Sequence, residues 1–127
     1  MANIPQTGTY LSQDNHFKIQ IDSADPTNGQ ITGMYETTES PEGPFVSQGT
    51  VGHYSWVNNA QGQSGVAPFN ISFNGSIRPN GWPYCIVDSW DGAYEMDNTL
   101  LLAGTRAYVN SKGGVEVASL GTQKFSK

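Results

Sequence analysis

Residues 66–94 read VAPFNISFNGSIRPNGWPYCIVDSWDGAY, two strand-like runs on either side of a polar turn. In the first run Phe69, Ile71 and Phe73 alternate with Asn70 and Ser72. In the second, Ile86, Asp88 and Trp90 alternate with Cys85, Val87 and Ser89. A period of two places each triplet on one face of its strand. Between the runs, Asn74 to Trp82 holds two Asn-Gly pairs and a proline, a dense turn signal. A carboxylate between Ile86 and Trp90 is the least expected residue in the chain. The hairpin reads as part of the wall of a small barrel with a ligand cavity behind it.

The same alternation extends in both directions. Gly8 to Leu11 predicts a short first strand and His16 to Asp22 a second, with Phe17, Ile19 and Ile21 on one face and Lys18, Gln20 and Asp22 on the other. Gly29 to Thr37 predicts a third strand, and Phe45 to Tyr54 a fourth with His53 near its end. Ser55 to Gly65 reads as the longest loop and carries Trp56. Val66 to Phe73 and Pro83 to Trp90, or as far as Tyr94, make the fifth and sixth. Thr99 to Tyr108 and Val115 to Phe125 complete a set of eight. Short connections and no long crossover predict an all-β, eight-stranded antiparallel up-and-down β-barrel over residues 1–127. Closure removes exposed edges, and a barrel of this size has room for one small ligand.

Composition narrows the function. The chain has 127 residues, enough for one core, and its 15 glycines and 7 prolines suit many turns. A net charge of −5, with only 6 lysines and arginines, argues against nucleic acid, whose phosphates need a basic patch. No apolar run reaches the 18 or so residues of a membrane span. The single cysteine, Cys85, excludes an intrachain disulfide, and its apolar setting fits a buried inert thiol. The first residues lack the basic and apolar segments of a secretion signal, which predicts a cytoplasmic or leaderless chain or a mature form with its leader removed. No cofactor motif appears, and His16, His53 and Cys85 lack metal-ligand spacing. No nucleophile–base pair or phosphate loop is visible, so an enzyme is not expected.

Several motifs together resemble the avidin and streptavidin family. GTY at 8–10 and GQITGMYET at 29–37 resemble its first and third strands. SWDGAY at 89–94, TLLLAG at 99–104 and SLGTQKFSK at 119–127 resemble its sixth, seventh and closing strands. The resemblance spans nearly the whole chain in order. It implies a barrel that binds a small molecule and assembles as a homodimer or homotetramer, with Val51, Leu101, Val117 and Ser119 as candidate outer-face contacts.

The resemblance also supplies a candidate site. The family's first-strand Asn falls on Ser12 and the nearby Ser on His16. Its third-strand Tyr is kept as Tyr35, and the following Ser becomes Thr37. A wall Trp falls on Phe69. On the sixth strand the Ser falls on Ile86, the Thr on Asp88, and the Trp is kept as Trp90. The seventh-strand Trp becomes Leu100, the Trp lent by a neighbouring subunit falls on Val115, and the final Asp on Gln123. Ile86 removes a hydroxyl partner, which would leave a ligand amide unpaired at about 1–3 kcal/mol. Two missing Trp walls remove aromatic burial of about 2 kcal/mol each. Biotin binding is therefore expected to be weak or absent.

Asp88 has two readings: a carboxylate that accepts from an amine, guanidinium or sugar hydroxyl of a ligand, or one that is paired inside the barrel with His16 or Tyr35 or sits in a bend. Two other functions stay open beside the small-ligand binder. One is a leaderless defence protein or lectin that binds glycans through loops bearing Trp56 and Trp82. The other is an oligomerisation scaffold with a filled barrel.

Overall fold

The computed structural model describes residues 5–38, 45–58, 66–77, 86–95, 98–110 and 112–127, with the backbone alone at 45–51, 56–58, 66–69 and 77. Every regular element among them is a β-strand: β1 (Gly8–Ser12), β2 (Phe17–Ala24), β3 (Gln30–Thr37), β4 (Phe45–Asn58), β5 (Val66–Ile77), β6 (Ile86–Glu95), β7 (Thr99–Val109) and β8 (Val115–Ser126). Each pairs antiparallel with the next, and β8 returns to pair with β1 through Ser12 opposite Phe125, so the sheet closes into an up-and-down barrel. This is the architecture that the alternation predicts. No helix here is long and apolar enough to cross a membrane.

Alternation fixes what lies inside. Phe17, Ile19 and Ile21 of β2 are buried while Gln20 is half-buried and Asp22 exposed. Ile86, Asp88 and Trp90 of β6 are buried, as are Leu100 and Leu102 of β7. The interior is aromatic and β-branched: Tyr10, Phe17, Ile19, Ile31, Tyr35, Tyr54, Ile71, Phe73, Trp90 and Phe125 form one cluster. Full burial of side chains this large contributes about 1.5–3 kcal/mol each.

Most boundaries lie within one or two residues of the sequence reading, and the ends of β4 and β5 shift further. β4 runs on through Asn58 rather than ending at Tyr54, so the long connection begins later and His53 lies within the strand. Trp56, Val57 and Asn58 find partners in Pro68, Ala67 and Val66 across a register shift between Ser55 and Trp56. An irregularity of this kind accommodates Pro68, which has no N–H to give the ladder. Likewise β5 does not turn at Asn74-Gly75 but continues to Ile77, pairing Gly75 with Asp88 and Ile77 with Ile86.

Candidate functional site

β3, β6 and β7 bring four side chains together toward the end of the barrel where β3 and β7 finish and β6 begins. Asp88 is completely buried. Directly opposite it across the β6–β7 ladder stands Arg106. Arg106 donates from Nε to Asp88 Oδ1 at 2.6 Å and from Nη2 to Oδ2 at 2.9 Å, a side-on bidentate pair. Tyr35 donates its hydroxyl to Asp88 Oδ2 at 2.7 Å, and Trp90 Nε1 donates to the Tyr35 oxygen at 3.1 Å. The chain of donors thus runs from indole to phenol to carboxylate, with the guanidinium closing the other edge.

Two glycines make room for it. Gly75 flanks Asp88 on β5, and a Cβ there would collide with the ring of Tyr35 as it crosses toward Asp88. Gly104 flanks Trp90 on β7, and a Cβ there would lie 2.5 Å from Trp90 Cζ3. The indole is held edge-on by Phe17 at 4.9 Å and Phe125 at 5.1 Å between ring centroids. Its relative exposure is 0%.

This environment acts on the phenol. Burial, then the charge of Asp88, then the hydrogen bond to it raise the pKa of Tyr35 above the ordinary tyrosine range, while Trp90 and Arg106 oppose the shift. Tyr35 is therefore a neutral donor at physiological pH.

The remaining predicted residues separate into two groups. Thr37 and Leu100 are buried, Thr37 opposite Phe17 on β2 and Leu100 between Tyr94 and Phe125. Ser12, His16 and Gln123 gather instead around Asp14 at the β1–β2 turn. Ser12 Oγ donates to Asp14 Oδ1 at 2.6 Å, the His16 N–H donates to the same oxygen at 3.0 Å, and Gln123 Nε2 donates to Oδ2 at 3.1 Å. Burial pushes the Asp14 carboxyl up, but the bonds from Ser12 and the His16 N–H, together with the His16 ring, outweigh it and hold the pKa below the usual value. His16 is exposed, with Nδ1 3.8 Å from Asp14, and so the partner of Asp88 is Tyr35 and not His16. The side chains of Phe69 and Trp56, and all of Trp82 and Cys85, lie outside the described residues. The aromatic that faces Trp90 across the β5–β6 ladder is Phe73.

Arg106 and Asp14 are the residues that sequence reasoning missed. Leu100, Leu102, Gly104 and Arg106 share one parity, which places Arg106 on the inner face. Among the described residues, two surface depressions of about 180 and 160 Å³ lie elsewhere, one at Asn28, His53, Tyr54 and Ser55, the other beside His16, Phe17, Lys18 and Glu36. Neither reaches Asp88 or Trp90, and both are smaller than the roughly 300 Å³ at which small-molecule pockets begin. No protein-family model, curated protein or solved structure matches this chain.

Proposed function

We propose that this chain is a non-enzymatic, small-ligand-binding β-barrel, avidin-like in plan, that has lost strong biotin binding and assembles as a homo-oligomer. The observation that carries this reading is the bidentate Arg106–Asp88 pair. At the sixth-strand position where the family's threonine would meet biotin stands a carboxylate, and Arg106 engages both of its oxygens. Tyr35, the polar residue kept from the family's pattern, donates its hydroxyl proton to the same carboxylate. A ureido ring entering here would have to break these bonds and leave buried charges unpaired, which is expensive. The polar side chains at this place satisfy one another.

A second reading is favoured by a specific feature. Trp90, Leu100, Thr37 and Asp88 are wholly enclosed, while Val115 and Val117 on the outer wall are 79% and 69% exposed. A filled barrel with an apolar outer face suits an oligomerisation scaffold. Native mass spectrometry of protein from its own source separates the two. A small molecule retained at constant stoichiometry supports the binder. An oligomer with nothing retained supports the scaffold, and nanomolar biotin binding by calorimetry overturns the loss of that ligand.

A further inference from the structure

A carboxylate with no exposed surface cannot stand alone in an apolar barrel; it needs a cation and hydrogen-bond donors. The donors here are arranged for one shape of cation. Asp88 presents its two oxygens edge-on, one to Nε and one to Nη2 of Arg106. That pairing needs a planar fork, which an ammonium ion cannot copy. The far side of Oδ2 is taken by the Tyr35 hydroxyl, and because that oxygen accepts from Trp90 Nε1, its own hydrogen is directed at Asp88. Oδ2 is therefore held by a donor other than the arginine as well. Phe17 and Phe125 in turn hold Trp90 against rotation. Neither the Tyr35–Asp88 nor the Trp90–Tyr35 hydrogen bond passes through Arg106, so removing that side chain takes away neither donor.

From this geometry we infer that Asp88, Tyr35 and Trp90 form a guanidinium-binding site that the chain keeps occupied with its own Arg106. Arg106 reaches it from the directly opposite position on β7, and its stem and fork together are 14% exposed, so part of the side chain meets solvent. Truncating that stem opens a passage to the vacated carboxylate. The vacated site takes a monoalkylguanidinium or an amidinium from solution. The wild-type chain excludes such ligands because the tethered guanidinium is always present at high effective concentration. The site exists whether or not the barrel binds a further ligand at its mouth.

The test is Arg106→Ala titrated with methylguanidinium at constant ionic strength, read by calorimetry and by thermal melting. Saturable binding at one per chain is expected, about tenfold or more tighter than methylammonium, which cannot make the bidentate contact. Wild type and the double variant Asp88→Asn/Arg106→Ala are expected to show neither binding nor a shift of melting temperature. Equal binding by methylammonium, no saturable binding, or retention of binding in the double variant overturns the site. Binding of one methylguanidinium by wild type overturns its occupation by Arg106. Where Arg106→Ala does not fold unaided, its refolding yield is compared in methylguanidinium and tetramethylammonium: a higher yield with the first supports the site, and equal yields overturn it.

Discussion

Arg106 and Asp88 stand directly opposite each other on adjacent strands and share two hydrogen bonds, of 2.6 and 2.9 Å, inside a barrel whose other inward residues are mostly apolar. Breaking such a pair is costlier than replacing it. Asp88→Leu strands a guanidinium and is expected to lose about 3–5 kcal/mol of stability, whereas Asp88→Leu/Arg106→Leu recovers most of that loss. Urea unfolding of both single variants and the double closes the cycle. Strictly additive losses would mean that the two side chains do not interact.

Tyr35 links stability to alkaline pH. An unfolded tyrosine ionises near its ordinary 10.0, while the folded phenol holds its proton to higher pH. Below pH 10 both states keep the proton and the group adds no pH dependence. Above it the unfolded state loses a proton that the folded state retains, and stability falls with rising pH by about 1.4 kcal/mol per unit. Tyr35→Phe is expected to be less stable at pH 7, by about 1–3 kcal/mol for the unpaired groups it leaves, and to show a shallower alkaline decline. The decline does not vanish, because burial of Tyr10 raises that phenol as well. An unchanged alkaline slope would contradict the placement of Tyr35.

Gly104 is a space requirement imposed by Trp90. Gly104→Ala puts a methyl 2.5 Å from the indole, and overpacking of this kind costs about 1–3 kcal/mol. Thermal melting measures it, and near-ultraviolet circular dichroism should report a displaced indole. A neutral substitution would mean that the ring does not fill this space.

The outer wall offers a row of apolar positions, Val87, Ala107 and Val117, paired in register across β6, β7 and β8, with Val109 opposite Val115 beside it. Multi-angle light scattering is expected to give at least a dimer, and Val115→Glu/Val117→Glu a smaller mass with unchanged secondary structure. The same mass from both chains would place the interface elsewhere.

Much of this was legible from alternation. Phe17, Ile19 and Ile21 declare the inner face of β2 without help from any other strand, and the parity of Ile86 and Trp90 puts Asp88 inside. Arg106 was hidden by its chemistry. An arginine near a strand end reads as an outward residue unless its buried partner is known, although Leu100, Leu102 and Gly104 already set its parity. Asn74-Gly75 misled for the opposite reason. The pair signals a turn, but here the glycine serves the close passage of the Tyr35 ring, a contact from β3 that no local pattern reports. Ser12, His16 and Gln123 share one neighbourhood apart from Asp88 and Trp90, and what draws them together is Asp14, a turn residue with no periodicity to mark it.

The measurement that bears most directly on the account is a calorimetric titration of biotin into the wild-type chain. On the proposed avidin-like plan, biotin's polar ring would have to pair where Arg106, Tyr35 and Asp88 engage one another, so no binding heat is expected at micromolar protein. Saturable nanomolar binding at one biotin per chain would contradict it.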